Sequence, residues 1–166
     1  MTSAGLLAAA YTLHLAATVV WVGGLVFLSF FSIRMLSALP EASRLDAWES
    51  SVRRFRPLAW LCVAVFIVTG LMQMSANAHY AGLLVVHDSW SRAILVKHLI
   101  FGGMAALLAY QTWVLAARLE RVALGLSIGG DEALARLRRL DFRLTRISAV
   151  LGILILVLTA LARASN

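Results

Sequence analysis

Four apolar runs, at about residues 5–32, 58–76, 93–117 and 146–163, constrain this chain more than any other feature. A hydrocarbon core about 30 Å thick takes roughly 20 helical residues to cross, and each run is close to or above that length. Backbone groups in lipid must satisfy one another, so runs of this kind cross as helices. The expected fold is therefore all-α, an integral membrane four-helix bundle forming a single domain over residues 1–166. The composition agrees: 61% hydrophobic residues, 14% charged residues and a mean hydropathy of +0.87 lie outside the balance of soluble domains.

Charge then orients the spans. No lysine or arginine precedes Arg34, so the first run lacks the basic start of a cleavable signal peptide and is expected to remain as a span. The connection from Ser32 to Pro57 carries Arg34, Arg44, Arg53, Arg54 and Arg56, and that from Arg118 to Arg146 carries seven arginines, whereas the middle connection has only Arg92. The positive-inside rule places the two basic connections in the cytoplasm and both termini outside, with the Ser75–Ser91 loop. Acids at short spacing, Asp46 with Glu49 and Asp131 with Glu132, predict short surface helices in the basic loops. The net charge of +7 thus reports topology, and nucleic acid is not an expected partner. No internal repeat is visible in the residues. Cys62 is the single cysteine, which excludes an intrachain disulfide.

Small and polar residues at helical spacing mark the faces along which membrane helices associate. The stripes are His14, Ala17, Thr18, Trp21 and Gly24 in the first run, then Cys62, Phe66, Thr69 and Gln73 in the second. The third has His98, Gly102, Ala105, Ala109 and Thr112; the fourth has Thr145, Ser148, Gly152 and Thr159. On these stripes His14 and His98 are expected to face inward at similar depth, in the outer half of two parallel helices. Met72, Met74, His79, His87 and Asp88 gather toward the outer mouth.

Two imidazoles facing each other across a bundle can ligate haem iron axially, or can join thioethers around Cu(I), a soft ion suited to Met and His. The expected metal ligands are therefore His14, His98, Met72, Met74, His79 and His87, with copper or haem b as the group bound. Gly23, Gly24, Gly102 and Gly103 would open a slot for haem, and Trp21 packs in the core or against a cofactor. Lys97 either snorkels outward or pairs with a carboxylate such as a haem propionate. The plain reading stands beside this one, since a histidine inside a span is often a hydrogen-bonded packing residue. Met72 and Met74 fall on different faces of their helix, and His79 and His87 read as solvated loop residues.

The segments "LHLAATVVWVGGLVFL", "RRFRPLAWLCVAVFIVTGLMQM", "SWSRAILVKHLIFGGMAALLAYQTWVLAARL" and "LGILILVLTALA" resemble, in that order, those of the copper-resistance protein D (CopD) domain family. The resemblance implies copper uptake or homeostasis at the inner membrane of a bacterium. More distantly, His14, the Trp-x-Gly-Gly at 21–24 and Lys97 resemble the HemJ type of membrane protoporphyrinogen oxidase, which would imply a haem-ligating His14 and a functional Lys97. The HemJ pattern is incomplete, with Tyr110-Gln111 and Thr145-Arg146-Ile147 where that family has Tyr-His and Asn-Glu-Pro.

Three functions follow as expectations. The first is a CopD-like protein that binds or transports copper through His14 and His98, supplied by a periplasmic copper carrier. The second is a bis-histidine haem b protein passing electrons between a quinone and an external partner, with porphyrinogen oxidation as its enzymatic form. The third is an accessory subunit, in a homo-oligomer or a larger membrane complex. No arrangement of serine, cysteine or carboxylate supports hydrolysis, and no phosphate-binding loop is present.

Overall fold

The computed structural model describes residues 3–76, 89–126 and 130–164, and every element among them is helical. Helix α1 (Ser3–Val26) runs into a π-helical turn (Phe27–Phe31), a short α2 (Ser32–Met35) and a 3-10 turn (Leu36–Ala38). Helix α3 (Glu41–Ser75) follows. Then come α4 (Ser89–Ala109), a second π-helical turn (Tyr110–Leu115), α5 (Ala116–Ala123) and α6 (Gly130–Ala164). Four stretches are long and apolar enough to cross a membrane: Ala4–Phe31, Ser43–Ser75, Ile94–Ala123 and Gly130–Leu161. The all-α, four-span fold expected from the apolar runs is the fold observed, and contact with the lipid bilayer follows from it.

The basic connections are helical, but not as separate surface helices. Residues Glu41–Arg56 begin α3, and Gly130–Arg146 begin α6, so each arginine-rich segment continues into the span behind it. Each of these helices has 35 residues; at about 1.5 Å per residue that is roughly 50 Å, well over the ~30 Å of a hydrocarbon core. Pro40 caps α3, and Arg44 reaches back with its guanidinium to the carbonyls of Ser37 and Leu39, tying the incoming turn to the new helix. Pro57, inside α3, offers no N–H to the carbonyl of Arg53 where the arm meets the apolar stretch. After α5 the chain turns through Gly125, whose φ of +69° suits glycine. Leu126 N–H bonds the Arg121 carbonyl and Gly125 N–H that of Val122, the paired bonds of a Schellman ending.

The chain forms two compact units, Met1–Val96 and Lys97–Asn166. In the first, α1 packs antiparallel against α3: Ala10 meets Gln73, His14 meets Thr69, and Leu28 meets Trp48. In the second, the π-helical turn and α5 pack against α6.

The two hairpins share a grammar that their residues do not spell. Each has a span interrupted by a π-helical turn, then a short helix, then a 35-residue helix that starts among arginines. The buried positions recur at the same intervals: Trp21, Leu25, Leu28 and Ser32 in the first span, Met104, Leu108, Gln111 and Leu115 in the third. On the long helices Trp48, Val52 and Ala59 match Asp141, Thr145 and Gly152. The second residue of each π-helical turn, Leu28 or Gln111, bonds to the first residue of that set: Trp48 Nε1–H donates to the Leu28 carbonyl at 3.3 Å, and Gln111 donates to Asp141. In this register the counterpart of His14 is Lys97, because each lies seven residues before the first member of the matched set, Trp21 or Met104.

Orientation can be checked with single cysteines in a Cys62→Ala background. A cysteine at Glu132 is expected to react with a membrane-impermeant maleimide only from the cytoplasmic side, and one at Ala76 only from the outside. Labelling of both from one side would refute the orientation.

Candidate functional site

His14 is the ionisable residue of the first span, and α1 presents it to α3 between the turns of Ala10 and Ala17. Its Nδ1 lies 2.8 Å from Thr69 Oγ1. The threonine hydroxyl also lies 2.6 Å from the Val65 carbonyl, to which it donates. A hydroxyl has one hydrogen. With that hydrogen on Val65, Thr69 accepts from His14, so Nδ1 carries a proton, and in the neutral ring Nε2 then carries the lone pair. This tautomer is assigned from the hydrogen-bond network. A protein group that fixes one ring nitrogen so that the other can ligate is the usual outer support of a metal-binding histidine.

Aromatic rings shape the same side. Phe66 meets the His14 ring edge-on at 4.9 Å between centroids, and Trp21 lies 5.7 Å from Phe66. Trp21 is buried at 3% exposure, so it builds the hairpin core behind the histidine. Gln73 lies one turn beyond Thr69 and reaches the Ala10 carbonyl at the long limit of 3.5 Å. Met74 is buried and Met72 half-buried, on the turn next to Thr69. Cys62 is buried on the same helix. Beside Gly24 there is no open slot: the Phe55 ring lies where a Cβ would stand. His79, His87 and Asp88 lie outside the described residues.

The third span presents a different face from the expected stripe. His98 and Gly102 are exposed, while Met104, Leu108, Gln111, Leu115 and Leu119 are buried. Small residues mark a close-packed face only where another helix uses them; here the buried positions carry larger side chains. Lys97, half-buried, takes the register position that His14 holds in the first hairpin, and His98 is one residue, about 100°, around the helix from it. On α6 the expected stripe is the observed one, with Thr145, Ser148 and Gly152 buried.

That stripe also holds a group the sequence reading left in a cytoplasmic loop. Asp141 is 1% exposed, and Gln111 and Thr145 beside it are 6% and 3% exposed. Gln111 Nε2 lies 2.8 Å from Asp141 Oδ1, 3.1 Å from Thr145 Oγ1 and 3.2 Å from the Asp141 carbonyl. The available signal was spacing: Asp141, Thr145, Ser148 and Gly152 follow helical intervals that run back across the assumed loop boundary. Among the described residues no three His, Cys, Asp or Glu side chains come together as a metal site.

The family described as copper resistance protein D matches residues 49–162, more than half of the chain. This chain belongs to the copper resistance protein D family. The matched stretch takes in most of α3 and all of α4, α5 and the π-helical turn between them, and most of α6. It includes Met72, Met74, Thr69, Lys97, His98, Gln111 and Asp141. His14, Trp21 and Gly24 precede it, so their roles rest on the geometry described above. The match speaks to the copper-resistance resemblance and not to the HemJ one. No curated protein and no solved structure matches the chain.

The His14–Thr69 bond has a measurable worth. Hydrogen bonds between membrane helices contribute about 0.6 kcal/mol on average and up to ~1.7 kcal/mol. Thr69→Val keeps the shape and removes the acceptor, so it is expected to lower hairpin stability by about 1 kcal/mol in a reversible detergent unfolding measurement. No change would show that the bond does not hold the ring.

Proposed function

We propose that this protein binds copper within the membrane as part of copper uptake or homeostasis, with His14 Nε2 as the in-span ligand of the first hairpin. The observation that carries the reading is the one-hydrogen constraint at Thr69, which places the imidazole proton on Nδ1. Neutral imidazole and thioether sulfur suit Cu(I), and Met72 and Met74 stand on the next turn of α3 as candidate sulfur donors. His79 and His87 are proposed to collect the ion outside. His98 is the in-span imidazole of the second unit. A periplasmic copper carrier is the proposed partner, and a bacterial inner membrane the proposed location.

At Gly24 the Phe55 ring takes the space a haem slot would need, whereas Gly23, Gly102 and Gly103 have nothing within 4 Å. The match to the copper resistance protein D family is what favours copper as the cargo.

The test is an anaerobic Cu(I) titration of detergent-purified protein against a colorimetric chelator, with optical spectra and with copper and iron quantified on the same sample. Wild type is expected to compete for Cu(I), His14→Ala to lose that competition, and Thr69→Val to weaken affinity roughly 10- to 100-fold, as loss of an outer-shell partner does. Binding that survives His14→Ala unchanged would remove His14 as ligand. A Soret band with stoichiometric iron would make this a haem protein.

A further inference from the structure

Arg136, Arg139, Arg143 and Arg146 follow one another along the arm of α6 at intervals of three, four and three residues. At 100° per residue that spacing gathers them into one stripe about 15 Å long, and all four are exposed. The stripe lies roughly 170° around the helix from the buried line of Asp141, Thr145, Ser148 and Gly152. Continued toward the C-terminus it becomes Val150, Leu154, Val157 and Leu161, which are exposed as well. The face that carries arginine in the arm is therefore the face that meets lipid in the span.

The acids of the arm compete little for this face. Asp141 is buried on the opposite side, and Asp131 and Glu132 stand at the start of the helix. Glu132 pairs with Arg136, but the two side chains are 75% and 71% exposed, and ion pairs so exposed are weak. Arg146 stands over the Phe142 ring at 5.4 Å, one residue before the apolar stretch begins at Ile147. The first arm lacks the stripe: in the register that matches Trp48 with Asp141, the corresponding positions are Ser43, Asp46, Ser50 and Arg53. Topology alone does not require one, because the positive-inside rule depends on the number of basic residues in a loop and not on the face they take.

We propose that the arginine stripe of α6 binds an anionic phospholipid of the cytoplasmic leaflet, with the guanidinium groups on its phosphate and an acyl chain along Val150, Leu154 and Val157. Guanidinium is planar, always charged and able to bond phosphate through paired N–H groups. Arg143 and Arg146 lie within about one turn of Ile147, at the depth of the headgroups, and Arg139 and Arg136 carry the positive field outward from them. The apolar continuation selects the lipid: inorganic phosphate, nucleic acid or an acidic protein would use the arginines and leave that half of the stripe unmatched. No residue of this surface is a proposed copper ligand, so the inference stands apart from the copper reading.

The experiment is thermal unfolding of the full-length, detergent-purified protein titrated with phosphatidylglycerol, phosphatidylcholine or inorganic phosphate at one ionic strength. Wild type is expected to show a saturable rise in Tm with phosphatidylglycerol that the other two do not reproduce. Arg139→Gln with Arg143→Gln is expected to move the midpoint roughly 30-fold to higher lipid concentration. Arg53→Gln with Arg54→Gln removes the same charge from the first arm and is expected to leave the midpoint in place. Arg143→Gln alone, expected to move it about 5-fold, serves if the double variant does not fold. Equal responses to the two lipids, a rise that inorganic phosphate reproduces, equal losses in the two double variants, or a midpoint unmoved by Arg143→Gln would each overturn the proposal. None of these outcomes bears on the Cu(I) competition at His14.

Discussion

The hydroxyl of Thr69 has one hydrogen, and the Val65 carbonyl takes it. From that constraint the tautomer of a neutral His14 ring follows: it donates from Nδ1, and Nε2 keeps a lone pair. Lipid enforces the bookkeeping, because no water is at hand to complete an unfinished pair. The same rule runs through the spans, where Thr18, Ser32, Thr112 and Thr159 return their hydroxyl hydrogens to the carbonyl one turn back. Thr69 does so too and still has lone pairs for the neighbouring helix. A threonine in this posture bridges two helices.

The two hairpins repeat one arrangement with different chemistry at the matching positions. Where the first has His14, the second has Lys97. Where the first sets the Trp48 indole against the Leu28 carbonyl, the second sets Asp141 against the Gln111 amide. The π-helical turns supply the register for both contacts, since the extra residue per turn rotates the following face. In the first hairpin the distinctive polar group is an imidazole in the N-terminal half of the span; in the second it is a carboxylate within the basic arm.

Much of the fold was legible because lipid imposes length and polarity so strictly. Four apolar runs became four spans, and His14, Trp21, Cys62, Thr69, Thr145 and Ser148 lie on buried or half-buried faces as their spacing predicts. The arms were harder to read. Arginines imply a polar environment but do not end a helix, so the runs 41–56 and 130–146 continue into their spans. Asp141 was missed for the same reason, being assigned to a loop by its charge. The third span misled in another way. Its glycines and alanines imitate a packing stripe, yet the buried positions are Met104, Leu108 and Leu115, and His98 lies on the exposed side. The duplicated grammar was invisible because burial, and not residue identity, is what repeats. Gly24 shows that a glycine at a close approach can be serving a neighbouring side chain, here Phe55, with no ligand involved.

The most direct measurement is X-ray absorption at the copper K-edge on the Cu(I)-loaded protein, wild type beside His14→Ala. Imidazole gives a distinctive outer-shell scattering pattern, and thioether sulfur lies farther from copper than nitrogen does. Wild type should show at least one imidazole together with sulfur scattering, and the imidazole contribution should fall in His14→Ala. Identical spectra from the two proteins, or copper bound by oxygen donors alone, would contradict a copper site built on His14.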